Sequence, residues 1–248
     1  MGLVKGGIME SLKKYFDDFV FHARVMPILV VLLPILALGI VKGIIDNNVL
    51  EGALYIAMIV IFLTLTSRVA RESGKRYENK MYKKLEGIPT TIILRYSDDT
   101  IDDLTKTRYH KKLNERVTDV ELPLSIEDED INSDMCYKSA INWLRVYANS
   151  NRDKEYRVYQ ELKEYNFWRN LYGTKIIAFF IYLAIAIREL QLIDEFNIQN
   201  MITKPYPEYV ALIIMVLSSL FVLLINKKIV QRKAFDYAKA LVEVCERL

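Results

Sequence analysis

Four stretches of this chain carry no charged residue: 26–41, 53–67, 176–187 and 209–226. The hydrocarbon core of a bilayer is about 30 Å thick, and a helix crosses it with about 20 predominantly apolar residues at about 1.5 Å each. The four blocks run from 12 to 18 residues and all end in Lys, Arg, Asp or Glu, so each spans only by drawing in its flanks. The third is the tightest case. Its segment, GTKIIAFFIYLAIAIRELQLI at 173–193, has 12 uninterrupted apolar residues, about 18 Å of helix. Spanning then takes Arg188 and Glu189 to or inside the membrane edge, which is costly unless they pair, snorkel or face water. The pattern predicts an all-α membrane protein with two transmembrane helical hairpins (2 + 2) flanking a mainly helical cytoplasmic domain.

Average composition hides this segregation, since 52% hydrophobic residues and a net charge of +3 over 248 residues would also suit a protein in water. The first apolar block follows some 25 polar or amphipathic residues, lacks a small-residue cleavage site and is soon followed by a second block, as in a retained anchor rather than a signal peptide. Cys136 and Cys245 are too few and too far apart for a disulfide framework or a metal site, and reduced thiols are expected.

In order, residues 1–25 read as a cytoplasmic amphipathic helix, with Ile8, Leu12, Phe16, Phe19 and Ala23 at helical spacing. The first hairpin is 26–69, its first helix carrying Pro27 and Pro34, which kink a membrane helix if neighbours satisfy the freed carbonyls. The cytoplasmic helical domain is 70–172, the second hairpin 173–226, and the cytoplasmic C-terminal helix 227–248. That last segment places Ala234, Ala238, Leu241, Cys245 and Leu248 at spacings 4, 3, 4, 3, a short seam that suits packing on the protein's own helices or a self-association coil. Both short connections lean acidic while the N-terminal arm, the flanks of the insert and the tail are basic. By the positive-inside rule both termini and the insert are cytoplasmic, at the inner membrane.

Within 70–172, TIILRY at 91–96 suits one short strand, and 98–117 a helix with acidic residues first and basic residues last. The stretch 119–134 holds seven carboxylates, no Lys or Arg, and Pro123, and reads as a surface loop. Asn132 or Ser133 then caps a helix to about 149 that buries Tyr137, Ile141, Leu144 and Ala148, and a further helix covers 153–172.

No phosphate-binding glycine loop, dinucleotide fingerprint, metal-binding histidine pair or Cys-x-x-Cys is present, so neither an enzyme nor a bound cofactor or metal is expected. Two constellations remain. Lys42, Arg188 and Glu189 fall at similar depth near the outer leaflet and suit either the mouth or gate of a pore or a snorkelling pair that anchors the helix. Arg95 and Tyr96, together with Lys106, Arg108, Tyr109, His110, Lys111, Lys112 and Arg116, combine cations with aromatic faces, as phosphates and stacked bases require. The alternative is a solvated helix face paired with the acidic loop. From 68 to 172 there are 20 Lys or Arg against 19 Asp or Glu, so a small anionic ligand fits better than duplex DNA.

Two membrane hairpins around an insert of about 100 residues without catalytic motifs resemble the small membrane effectors of prokaryotic antiphage systems, the CBASS-type effectors and the transmembrane effector of Hailong systems. The resemblance implies a homo-oligomer in the lipid bilayer whose cytoplasmic part senses a nucleotide or oligonucleotide made by a partner enzyme and whose helices open a pore. The alternative from another class is a non-conducting membrane scaffold that recruits a cytosolic protein.

Overall fold

Backbone in an apolar block has no water to bond, and the α-helix satisfies its N–H and C=O groups internally. The computed structural model describes residues 18–46, 49–118, 120–130, 132–191 and 207–248, without the side chains of 38, 40–65, 67, 207 and 208. Every regular element among these residues is helical. The helices are α1 (Asp18–Val20), α2 (Met26–Asp46), α3 (Val49–Lys84), α4 (Pro89–Ile92), α5 (Asp103–Arg116), α6 (Ser133–Ser150), α7 (Tyr156–Gln191), α8 (Pro207–Leu224) and α9 (Lys227–Val242). A π-helical turn, Phe21–Val25, joins α1 to α2, and a 3-10 turn, Glu243–Arg247, follows α9. The chain divides into two compact units.

The first unit comprises the residues up to Tyr77 and Asn166–Lys227. Its core joins Val31, Leu171, Ala178, Tyr182, Ala211, Met215, Val222 and Ile225. The opposite face of α7 is apolar and open: Ile176, Phe180, Leu183, Ile187 and Leu190 are exposed, at steps of 4, 3, 4 and 3. On α8, Leu217, Leu220, Phe221 and Leu224 are likewise exposed. A helix meeting water would turn charges outward; these turn out leucine and phenylalanine, as helices surrounded by lipid do. Two helical stretches, Asp18–Ala37 and Tyr156–Gln191, are long and apolar enough to cross a membrane, or three if α8 is joined to the helix after it. The side chains of 49–65, where a further span is expected, lie outside the described part, as do the amphipathic positions Ile8, Leu12 and Phe16.

Pro27 explains the π-helical turn. It has no N–H to give the Ala23 carbonyl one turn earlier, and its ring crowds that carbonyl. The side-chain amide of Asn170, itself buried, donates to the Ala23 oxygen at 2.6 Å. Farther along, beside Pro34, the Tyr182 hydroxyl donates to the Val31 carbonyl. Lys175 serves the end of α8: its ammonium donates to the carbonyls of Ile225 at 2.8 Å and Leu223 at 3.1 Å. The last carbonyls of a helix lack intrahelical partners, so a cation there is doubly favoured.

The second unit comprises Glu78–Tyr165 and Lys228–Leu248. Helix α6 buries Tyr137, Ile141, Leu144 and Ala148, the positions its 3.6-residue period selects. On α9 and the turn after it, Ala234, Ala238, Leu241 and Cys245 are buried, so this chain's own packing takes up the seam. The run expected as a strand, 91–96, is instead the end of α4 followed by turns. Pro89 sits at the first helical position of α4, Ile88 before it is extended, and Pro89, Thr90, Thr91 and Ile92 are all buried. Helix α5 starts at Asp103, later than its acidic approach suggests, because Asp98 folds into a turn by accepting from Thr100 N–H while Asp102 accepts from Thr105 N–H at 2.9 Å as the cap.

Candidate functional site

Helix α5 carries most of the cations proposed to meet a ligand, and its geometry sorts them by face. Arg108, Lys112 and Arg116 recur every fourth residue and share one stripe. That stripe holds the C-terminal 3-10 turn. The Arg108 guanidinium pairs with Glu246; the Lys112 ammonium donates to the carbonyls of Cys245 at 2.8 Å and Glu246 at 3.2 Å; Arg116 donates to the Leu248 main-chain oxygen at 2.8 Å. Tyr109 is buried beside them, and burial, with Glu246 next to it, pushes its phenol above the ordinary range. The Arg108 hydrogen bond holds the Glu246 carboxyl below its ordinary range. From the other side, Arg157 pairs with Glu243 at 2.6 Å, and Arg247 with the buried Glu155.

A second stripe, Lys106, His110 and Leu113, points inward and is fully buried. The Lys106 ammonium donates to the Asp98 carbonyl and lies 5.9 Å from the centre of the Tyr96 ring. The His110 ring stands between Tyr96 and Tyr137, with centroids 5.5 Å and 5.4 Å away, and Nδ1 lies 2.6 Å from the Pro123 carbonyl. Nδ1 therefore carries the proton. Burial lowers the tendency of the ring to take a second one. The Tyr96 hydroxyl meets Thr107 at 2.9 Å, and Glu129 accepts from Tyr137 at 2.7 Å and from the Tyr96 amide at 3.2 Å. Arg95 makes a two-pronged ion pair with Asp134, at 2.8 and 2.7 Å, and also donates to the Glu86 carbonyl. That guanidinium holds the Asp134 carboxyl below the usual carboxylate range.

The nine candidate residues thus part company. Arg95 closes on Asp134; Tyr96, Lys106 and His110 form a core; Arg108, Tyr109, Lys112 and Arg116 serve the tail; Lys111 alone among them is exposed without a described partner. The acidic loop is fastened to α5 by neutral groups. Asn114 exchanges two hydrogen bonds with the main chain of Leu122, at 2.7 and 3.0 Å, and Thr107 donates to Leu124.

Of the three residues expected at the membrane edge, the Glu189 side chain is fully buried while that of Arg188 is 70% exposed, the two charges being 3.6 Å apart. The side chain of Lys42 lies outside the described part, and with it the pairing expected of Lys42 and Glu189.

Two cavities open in the second unit. The larger, about 1000 Å³, has Glu121, Asp128 and Asp130 in its wall and repels anions. The smaller, about 390 Å³, is lined by Arg145, Arg152, Tyr159 and Tyr237 together with apolar side chains. Sequence reading passed over it because its two arginines stand in different turns of an otherwise ordinary helix end. Among the described residues no cluster of His, Cys, Asp or Glu is arranged to hold a metal ion.

No family model, curated protein or solved structure matches this chain.

Proposed function

We propose that this protein is an oligomeric membrane effector, a ligand-gated pore made of two helical hairpins per chain, with its termini and central helices on the cytoplasmic side of the inner membrane. The observation that carries the reading lies at the end of α7. An exposed apolar stripe, Ile176 to Leu190, ends in adjacent opposite charges, Glu189 turned in and Arg188 turned out. A buried carboxylate at the rim of an apolar helix costs several kcal/mol unless its surroundings supply charge or water. Arg188, paired at 3.6 Å with the enclosed Glu189 and itself exposed, is then the charge that a water-filled path between protomers would meet. Helix α7 also runs unbroken from Tyr156 to Gln191, with no Pro and with Gly173 absorbed in the helix, so movement at its start has a stiff element to act on. Reception of a nucleotide or oligonucleotide signal, and a part in antiphage defence, follow from the layout resemblance.

The test is potassium release and membrane potential in cells expressing wild type, Arg188→Ala and Glu189→Gln under a tight inducer, repeated as ion flux from liposomes. Wild-type depolarisation that either substitution alters supports the pore. Unchanged potential and no flux with verified membrane insertion, across a nucleotide panel, would leave the scaffold reading in its place.

A further inference from the structure

The smaller cavity has a composition that the tail-clamping helix lacks: two guanidinium groups and no carboxylate. Arg145 comes from the second half of α6, Arg152 from the turn after it, Tyr159 from the first turn of α7 and Tyr237 from α9. Among the described residues neither arginine has a carboxylate within ion-pair distance. Arg145 donates to the Thr90 hydroxyl at 3.2 Å and to the Asn142 side-chain oxygen at 3.4 Å. Arg152 donates through two nitrogens to the Asn149 side-chain oxygen, at 2.8 and 2.6 Å, and lies 5.4 Å from the centre of the Tyr159 ring. Neutral dipoles orient a guanidinium without cancelling its charge, so both retain that charge and the N–H groups outside these contacts for an oxyanion.

Arg95, Arg108, Arg157 and Arg247 all close on carboxylates. Arg145 and Arg152 do not, and they alone of these arginines share a cavity. Val158 and Leu162 add apolar surface to the same lining, and Tyr159 contributes an aromatic ring to it. A guanidinium plane over an aromatic ring offers a flat, cationic surface to another flat ring. A volume of about 390 Å³ falls at the lower end of the range for small-molecule sites, about 300–1000 Å³.

We infer that the cavity between Arg145, Arg152, Tyr159 and Tyr237 is a binding site for a small phosphorylated ligand bearing a planar ring, of nucleoside monophosphate size. Arg145 and Arg152 receive the phosphoryl oxygens, and the Tyr159 edge and the Arg152 plane receive the ring. The inference rests on the reading of the cytoplasmic helices as a sensor and gives that sensor an address away from α5. It brings together the end of α6, the start of α7 and α9, so an occupant would bridge three helices.

The experiment is equilibrium binding to the purified full-length protein in nanodiscs. The probes are the common nucleoside 5′-monophosphates, the matching nucleosides and inorganic phosphate, followed by calorimetry and by ligand-detected NMR. At least one monophosphate is expected to bind saturably and more tightly than its nucleoside. Arg152→Gln, at an exposed position outside the packed core, is expected to weaken it about tenfold or more, as the loss of a charge-assisted hydrogen bond does. Tyr159→Leu is expected to weaken the monophosphate while leaving phosphate competition in place. Lys112→Gln, on the tail clamp, serves as the control and is expected to leave binding unchanged. No saturable binding of any monophosphate would overturn the assignment. So would binding that Arg152→Gln and Tyr159→Leu leave intact, or that Lys112→Gln abolishes instead. The result stands apart from conduction: a binding pocket in a protein that passes no ions would sink the pore and keep the site, and ion flux without binding would do the reverse.

Discussion

Gly74 and Gly173 meet backbone to backbone. A Cβ placed on Gly173 would stand 2.5 Å from the Gly74 nitrogen and 2.6 Å from the Ala70 oxygen, and one on Gly74 would stand 2.9 Å from the Arg169 oxygen. Both glycines lie within helices, where alanine is favoured by about 1 kcal/mol. The contact atoms are main chain, which cannot step aside as the tip of a long side chain can. Overpacking of this kind costs about 1–3 kcal/mol, so Gly173→Ala is expected to be net destabilising, and Gly173→Leu to prevent α3 and α7 from pairing. Thermal unfolding in detergent, with Gly52→Ala as a comparison elsewhere in α3, measures the difference; a Gly173→Ala protein more stable than wild type would show that the helices do not approach as described.

Asn170 substitutes for a donor that Pro27 lacks. Asn170→Ala removes a buried hydrogen bond to the Ala23 carbonyl, and an unsatisfied buried acceptor costs about 1–3 kcal/mol. The double change gives the sharper test. Pro27→Ala restores an N–H to the helix, so Asn170→Ala is expected to cost less in that background, and a cycle showing simple additivity would separate the two residues.

The legible parts of the fold were those with a strong period or a strong absence of charge. Tyr137, Ile141, Leu144 and Ala148 repeat on one helical face and are buried together. The run 91–96 was misleading because 90–94 is buried throughout, and a sequence that is apolar on every side has no period to separate strand from helix. Pro89 was the usable signal, being suited to the first turn of a helix. The cationic stripe of α5 was visible as a stripe, but Lys112 and Arg116 meet main-chain oxygens of the tail, more than 130 residues on, and main-chain oxygens leave no mark in a sequence. Arg145 and Arg152 were unremarkable for the same reason: what distinguishes them is which partners they lack.

The tail clamp divides its work unequally. Arg108 and Glu246 are both about half exposed, and exposed pairs contribute little. Arg108→Ala is therefore expected to be nearly silent. Lys112 and Arg116 meet main-chain oxygens of the last turn, and Lys112→Met combined with Arg116→Met is expected to free that turn while α9 stays folded. Hydrogen exchange across 243–248 reads this directly. Exchange that rises as much for Arg108→Ala as for the double variant would show that the ion pair, not the carbonyl contacts, secures the turn.

His110 makes stability pH-dependent in a window of its own. Its ring is buried between Tyr96 and Tyr137, and burial lowers its pKa from the ordinary 6.5. The unfolded chain then binds more protons than the folded one below that value, so unfolding free energy falls as pH drops from 6.5 toward the folded-state pKa. The Asp134 carboxyl, held down by Arg95 from the ordinary 3.8, contributes stability that is complete above 3.8 and lost only at lower pH. The His110 loss thus begins below 6.5 and the Asp134 loss only below 3.8. His110→Gln keeps a side-chain donor for the Pro123 carbonyl and removes the titration. It is expected to lower stability at neutral pH by about 1–2 kcal/mol through poorer packing and to flatten the slope between pH 6.5 and the carboxylate range. Chemical denaturation of the wild type and His110→Gln over that range decides it; parallel slopes for the two proteins would show that the histidine is not the group responsible.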